Sequence, residues 1–124
     1  MNELPGLFRL AKNVSKHSTH KIKMGAVLVK HGRPLSVGFN KVKSHPIHTF
    51  SIHAEIDCMA SFDREELRSS SMFIYRESKC GTPAIARPCK RCLEYLRSFG
   101  VKRIFFTTNE YPYWNTERID DQFK

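Results

Sequence analysis

Two stretches of the sequence, Ile52-His53-Ala54-Glu55-Ile56 and Arg87-Pro88-Cys89-Lys90-Arg91-Cys92, determine how the rest of the chain must be arranged. The first supplies an imidazole and a carboxylate two residues apart, and the second supplies two thiols three residues apart. Side chains two residues apart in mid-helix point about 200° away from each other, so the first pair can meet only where a helix begins. Thiols three residues apart share one face of a first helical turn. The spacing therefore predicts two helix N-termini that converge on one site.

The side chains in these stretches match the ligand set of a catalytic zinc ion. Such a site has three protein ligands and a fourth position open to water, and we predict that His53, Cys89 and Cys92 are the ligands of Zn²⁺. Zinc lowers the pKa of its bound water to about 7. Glu55 is the predicted catalytic residue. It takes a proton from this water and passes protons to a ring nitrogen and to a departing amine of the substrate. The backbone N–H of Ala54 is expected to hold an oxygen attached to the same ring.

A His-x-Glu motif combined with a Pro-Cys-x-x-Cys motif is the signature of zinc-dependent nucleobase deaminases. A structural zinc site is the main alternative, and it would need a fourth protein ligand such as His45, His48 or Cys80. A redox-active Cys-x-x-Cys pair is a further alternative, but it would leave His53 and Glu55 without a role. We therefore favour the catalytic interpretation.

The positive charge of the chain, +9 overall, is concentrated in its first half. Residues 4–54 contain nine Lys and Arg and no acidic residue, whereas residues 55–124 contain twelve Lys and Arg against eleven Asp and Glu. A field of one sign attracts anions. The expected partners are a nucleotide or nucleoside substrate and, as a second option, single-stranded nucleic acid bound along basic residues 9–43. The alternative is that these charges serve only to keep the protein soluble.

Length and composition indicate one domain over residues 1–124, which is enough chain to bury a core without disulfides. No apolar run approaches the roughly 18 residues of a membrane span, and the N-terminus lacks the form of a signal peptide. We therefore expect no membrane partner and a cytoplasmic location. In such a chain a Cys-x-x-Cys pair is expected to bind metal rather than to form a disulfide.

Apolar periodicity predicts the element order α-β-β-α-β-α-β-α. The predicted elements are a helix over 4–17, a hairpin over 25–39, a helix from about 53 with Ser51 as a cap, a strand over 72–76, a helix from Pro88 to Gly100, a strand over 101–107 and a short helix from 115. Residues 40–51 and 77–87 are predicted as loops. This order predicts an α/β fold of three α-β-α layers around a mixed sheet of four to five strands. Its last two strands should be parallel and joined by a helical crossover.

The fifth strand of such a sheet is hard to find after Thr107. A sheet that ended there would expose the backbone N–H and C=O groups of its last strand. We therefore expect a homo-oligomer that covers this edge.

Between Met24 and Thr107 the motifs and their order resemble the cytidine deaminase-like superfamily. Residues 25–29 followed by Gly38-Phe39-Asn40 are similar to the opening hairpin of that family. The resemblance implies the family's three-layer fold, with Asn40 contacting the sugar or base and residues 25–27, Ala26 among them, lining the pocket. It also implies the same zinc ligands and the same glutamate as proton shuttle.

Differences between branches of the family bear on the substrate. Free-nucleoside cytidine deaminases usually carry a glutamate two residues after the matching asparagine and a cysteine as first ligand, where this chain has Val42 and His53. Deoxycytidylate deaminases resemble the chain in using His-Ala-Glu and Pro-Cys-x-x-Cys. Polynucleotide cytosine editors share the zinc motif but have Ser-Trp-Ser where this chain has Ile85-Ala86-Arg87, and tRNA adenosine deaminases share His-Ala-Glu and a basic surface.

Several residues near the motifs are candidates for substrate contact. Arg87 and Pro88 are expected where the loop enters the pocket, and Arg87 could hold a phosphate. Tyr111, Tyr113 and Trp114 follow the last predicted strand, where they could stack on a base or pack across the edge of the sheet.

The sequence thus predicts hydrolytic deamination of a cytosine base to uracil, on a nucleotide such as dCMP or CMP. The alternative within the enzymes is a deaminase of single-stranded DNA or RNA, with cytosine or tRNA adenosine as its target. The alternative of another class is a nucleic-acid-binding module that zinc stabilises in a closed four-ligand site. This module would require no role for Glu55.

Overall fold

The computed structural model describes residues 5–44 and 49–119, and this part of the chain forms four helices and eight strands. In chain order they are α1 (Gly6–Ser15), β1 (Met24–Lys30), β2 (Arg33–Phe39), β3 (Lys41–Ser44), β4 (Thr49–Ile52), α2 (Ala54–Met59), α3 (Arg64–Leu67), β5 (Ser70–Glu77), β6 (Pro83–Ala84), α4 (Lys90–Ser98), β7 (Val101–Thr107) and β8 (Trp114–Arg118).

One mixed sheet of the order β2-β1-β5-β7-β8 forms the centre of the fold, and the short β6 pairs with β5. All neighbouring strands in this sheet are antiparallel except β5 and β7, which are parallel and are connected through α4. This arrangement confirms the predicted mixed α/β sheet, including its parallel last crossover. β3 and β4 form a separate antiparallel pair.

The two faces of the sheet bury different side chains because residues alternate along each strand. On one face Val27, Phe73 and Tyr75 pack in a cluster with Phe8 and Ala11 of α1. On the other face the residues between them along β1 and β5 form a larger cluster with α2 and α4, and this cluster contains Ala26, Leu28, Met72, Ile74, Ala54, Cys58, Leu93 and Leu96. The sheet therefore lies between two helical layers, as the sequence predicts.

The segment between the opening hairpin and α2 is the first place where the prediction was wrong. Residues 41–44 and 49–52 pair as an antiparallel ribbon, although 40–51 was predicted as a loop. Pro46 and the polar residues around it conceal this pairing in the sequence. His45 and His48, the candidate ligands of a closed zinc site, lie outside the described residues.

The C-terminal segment is the second place where the prediction was wrong. Residues 114–118 form a strand, although a short helix from Asn115 was predicted. β8 runs antiparallel to β7, with Trp114 opposite Thr107 and Arg118 opposite Arg103. Pairing with β7 satisfies backbone groups that would otherwise lie open at the sheet edge, and this gain outweighs the weak local preference of five residues. β8 is the fifth strand that the sequence hides, so the open edge at β7 does not exist.

Two helix starts also differ in detail from the prediction. His53, rather than Ser51, is the N-cap of α2, and Cys89 is the N-cap of α4. Pro88 therefore precedes the cap instead of occupying the first helical position. The two cap residues are predicted metal ligands, and the third, Cys92, lies in the first turn of α4.

Gly38 in β2 fixes the height of α2 above the sheet. A Cβ atom on residue 38 would lie 2.5 Å from the backbone N of Cys58 and 2.7 Å from the carbonyl O of Ala54. Only glycine permits this approach, since the helix backbone cannot move aside as a flexible side chain could. Asp57 adds polar ties on the same side, because it accepts from the backbone N–H of Phe39 at 3.2 Å and pairs with Lys41 at 3.0 Å.

Replacing Gly38 with alanine should therefore lift α2 and lower the free energy of unfolding by about 1–3 kcal/mol, the usual cost of overpacking. Gly6→Ala is the matched control, because a Cβ at residue 6 meets only a side-chain nitrogen of Arg9 at 3.8 Å. Urea denaturation of both variants measures the effect. Equal stabilities of the two variants would show that α2 is not seated by residue 38.

Candidate active site

A cavity of about 300 Å³ opens where the N-terminal ends of α2 and α4 meet. His53 and Glu55 enter it from α2, and Cys89 and Cys92 enter it from α4. Asn40, just after β2, forms part of its wall. The structure thus brings together at one site the four residues that the two sequence motifs supply.

Glu55 is the buried acid of the cavity, with 3 % of its surface exposed. Its Oε1 is buried and has no hydrogen-bond partner. Burial raises the pKa of Glu55 above its ordinary value of 4.5, and the backbone hydrogen bond and the nearby His53 oppose this shift only in part. A raised pKa makes a carboxyl group easier to protonate, which suits a residue that must both accept and return a proton.

The three nitrogen and sulfur donors are neighbours. His53 Nδ1 lies 3.3 Å from Cys92 Sγ, and Cys89, the N-cap of α4, lies three residues before Cys92. Polar interaction with the Cys92 backbone and thiol lowers the pKa of Cys89, so its thiolate is favoured. Burial, followed by the nearby Glu55, raises the pKa of Cys92 to about 12.

In residues 5–44 and 49–119 no group of three or more His, Cys, Asp and Glu side chains is already spaced as a metal site. The donor set nevertheless fits zinc, which prefers thiolate and imidazole ligands. His53 and Cys92 are in contact, all three donors line one cavity, and Glu55, whose Oε1 is unpartnered, lines the same cavity.

Asn40 is a polar residue of the cavity wall whose side chain makes three hydrogen bonds. Its Oδ1 accepts from the Met24 backbone N–H at 2.9 Å and from the Ser18 hydroxyl at 2.6 Å, and its Nδ2 donates to the carbonyl of Ile22. These bonds hold the segment between α1 and β1 against the cavity. One N–H of the amide is left over for a ligand.

The other residues predicted to bind substrate have more varied positions. Arg87 and Pro88 line the cavity, but the Arg87 guanidinium forms a bidentate ion pair with Glu117 of β8 at 2.6 and 2.9 Å. Ala26 is fully buried in the core, and Met24, two residues earlier on the same face, lines the cavity instead. Ala54 is the first residue of α2, so its backbone N–H lies in the unpaired first turn.

Sequence reasoning missed His20, Ile22 and Arg76, which also line the cavity. Arg76 was detectable in principle, because it follows Met72 and Ile74 on one face of a predicted strand and carries a charge toward the core side. The other two lie in an irregular segment, where no periodicity indicates which side chains turn inward.

Cys58, Cys80, Tyr111 and Trp114 are not among the residues that line this cavity. Cys58 is fully buried in the core and Cys80 is exposed. Trp114 packs beside Phe8 and Phe105, with ring centroids 6.0 and 6.3 Å apart. The half-buried Trp114 thus packs at the edge of the sheet, whereas Tyr111 is 71 % exposed.

The fold and this site together define a cytidine deaminase-like domain: an α-β-α sheet with a His-x-Glu motif at one helix start and a Pro-Cys-x-x-Cys motif at the other. The family model described as the cytidine and deoxycytidylate deaminase zinc-binding region matches residues 1–108. The chain belongs to this family. A search of curated proteins gave no match.

Solved structures agree with this family assignment. The dCMP deaminase of the cyanophage S-TIM5 is 27% identical, with a TM-score of 0.61 over 82% of this chain and 79% of that one. A cytidine deaminase from Burkholderia pseudomallei is 18% identical and has a TM-score of 0.67 over 93% and 91% of the two chains. A cytidine deaminase from Mycobacterium tuberculosis, also 18% identical, has a TM-score of 0.58 over 93% and 89%. The last two likenesses concern the fold.

Within the described ranges, every helix is too short or too polar to cross a bilayer.

The reactivity of the four thiols should report on the metal ligands. In metal-free protein at pH 7.5, iodoacetamide should modify the exposed Cys80 and Cys89, while Cys58, buried with a pKa raised to about 12, stays unmodified. Added Zn²⁺ should protect Cys89 and leave Cys80 reactive, which peptide mass spectrometry can measure. Protection of Cys80 as well would indicate a closed site that includes it.

The metal-free protein should also gain stability when its buried charge is removed. Because the pKa of Glu55 is raised on folding, this residue favours folding below its ordinary pKa of 4.5, and the benefit is lost as the pH rises through the folded pKa. Glu55→Gln should therefore raise the free energy of unfolding at pH 7.5 by on the order of 1 kcal/mol and flatten its pH dependence.

Thermal unfolding from pH 4.5 to 8 measures this effect. Glu65→Gln serves as the control, since Glu65 is an exposed residue in a surface ion pair. A Glu55→Gln variant that is less stable than the wild type at every pH would contradict the burial argument.

Proposed function

We propose that this chain is a single zinc-dependent domain that hydrolyses the exocyclic amine of a cytosine base, giving uracil and ammonia. Its leading substrate is a nucleotide such as dCMP or CMP. The observation that carries the proposal is the buried Glu55, with an unpartnered oxygen, in one cavity with His53, Cys89 and Cys92. A purely structural zinc site has no use for such a carboxyl group.

The four motif residues of the cavity divide two tasks between them in this proposal. His53, Cys89 and Cys92 hold the zinc ion, which when bound supplies the Lewis acidity that lowers the pKa of a water molecule toward 7. Glu55 accepts a proton from the attacking water and donates to the ring nitrogen and then to the departing amine. Burial suits Glu55 to this task, because it raises the pKa of the carboxyl group and so favours the protonated form that returns the proton.

The substrate proposal has support from a relative as well as from charge. The cyanophage S-TIM5 enzyme is a dCMP deaminase, and its structure has been determined in complex with dCMP and dUMP. The net charge of +9 and the acid-free stretch of residues 4–54 favour an anionic substrate over a neutral nucleoside. The homo-oligomer predicted from the sequence remains a prediction, and the exposed Leu35 and Val37 on edge strand β2 are apolar surface that it would cover.

Deamination by the purified, zinc-loaded protein tests the proposal directly. We expect a gain of one dalton on dCMP or CMP by mass spectrometry, and Glu55→Gln should lower the rate by about 10²–10⁴-fold while zinc stoichiometry is unchanged. Glu65→Gln should leave the rate unaffected. Conversion of a single-stranded oligonucleotide or tRNA alone would overturn the nucleotide as substrate. Stoichiometric zinc with no conversion of any substrate would favour a binding module without catalysis.

A further inference from the structure

Arg76 lies at the boundary between the cavity and a second depression of about 520 Å³. Met72, Ile74 and Arg76 share one face of β5, and the first two are buried in the core. Arg76 is the next position on that face, where the core ends and the cavity begins. His20, Ile22 and Arg76 are the residues that line both depressions.

The guanidinium of Arg76 is incompletely satisfied by the protein. Its Nη1 donates to the carbonyl of Ile85 at a long 3.4 Å, and its buried Nε has no acceptor. Arg76 forms no ion pair with a carboxylate in residues 5–44 and 49–119, so no acidic side chain there neutralises its charge. A partly buried guanidinium that lacks hydrogen-bond acceptors and an ion-pair partner is strongly stabilised by an anionic acceptor.

The second depression extends this positive charge outward. Lys21, Lys23 and Lys79 line it, and Glu77 is the one acidic residue among its lining side chains. Lys23 donates to the carbonyl of Ser18 at 2.8 Å, which fixes its ammonium group at the site. The depression therefore presents a net positive field next to Arg76.

The opposite side of the cavity offers no comparable site. Ile85 and Arg87 lead there into a third depression, but Glu117 neutralises Arg87 through two hydrogen bonds, and Glu110 also lines that surface. An anionic group of a ligand in the cavity is thus attracted toward Arg76 rather than toward Arg87. The volume of the cavity, about 300 Å³, suits a base and its sugar, so a phosphate would lie at the mouth.

We propose that Arg76 is a specificity-determining residue that binds the phosphate of a mononucleotide while the base lies beside Glu55. Lys21, Lys23 and Lys79 surround that phosphate with positive charge. Arginine suits this task because its planar fork binds phosphate through two parallel hydrogen bonds. The inference rests on the proposed function for the identity of the base but not for the position of the phosphate.

Binding of dCMP and deoxycytidine to the zinc-loaded Glu55→Gln protein, measured by calorimetry, tests this inference without turnover. Adding Arg76→Gln should weaken dCMP binding about ten- to a hundredfold and leave deoxycytidine binding unchanged. Arg76→Lys should give an intermediate loss, since it keeps the charge but not the fork. Arg33→Gln is the matched control, because Arg33 is exposed at the far end of the β1–β2 hairpin.

Each other outcome overturns the proposal in a recognisable way. Equal losses for dCMP and deoxycytidine in both Arg76 variants would make Arg76 a structural residue of the cavity wall. Unchanged dCMP binding would remove Arg76 from recognition. A loss confined to an oligodeoxycytidine strand would mean that the phosphate belongs to a polynucleotide. Because these are binding measurements, they decide about Arg76 even if the wild type deaminates none of the substrates tested.

Discussion

The contact between α2 and β2 at Gly38 is the constraint on which the site depends. With no side chain at residue 38, the helix backbone rests directly on the strand, and Asp57 ties the same helix to Phe39 and Lys41. A helix of six residues has little stability of its own, so packing must hold it in place. Its fixed height determines where His53 and Glu55 lie, and α4, carried by the parallel crossover, brings the two cysteines to meet them.

The chemistry of the cavity follows from how this packing excludes water. Burial makes the ionised form of Glu55 unfavourable, whereas polar interaction with Cys92 at the start of α4 favours the ionised form of Cys89. Glu55 and Cys89 thus differ in their tendency to hold a proton, although both line one cavity. The carboxyl group of Glu55 suits proton transfer, and the thiolate of Cys89 suits metal binding. The protein tolerates an unpartnered buried carboxyl oxygen here, which is a cost typical of functional sites.

The site was more predictable from sequence than the edges of the fold. The convergence of His53 and Glu55 follows from helical spacing, because only a helix start allows residues two apart to meet. Cys89 and Cys92, three residues apart, share one face of a helical turn. The sequence pattern of β5 likewise predicts a buried strand. Strand β8 could not be predicted, because Trp114–Arg118 forms a strand through its partner β7 rather than through its own pattern. Arg76 was missed because a charged residue at a strand end is usually solvated, although it shares the buried face of β5 with Met72 and Ile74.

X-ray absorption at the zinc edge of the purified, zinc-loaded protein tests the central claim most directly. An open catalytic site held by His53, Cys89 and Cys92 predicts two sulfur ligands at about 2.3 Å, one imidazole nitrogen at about 2.0–2.1 Å and one further light ligand from solvent. A third sulfur or a second imidazole would show a closed structural site. That result would contradict the assignment of Glu55 as a proton shuttle beside an open zinc position.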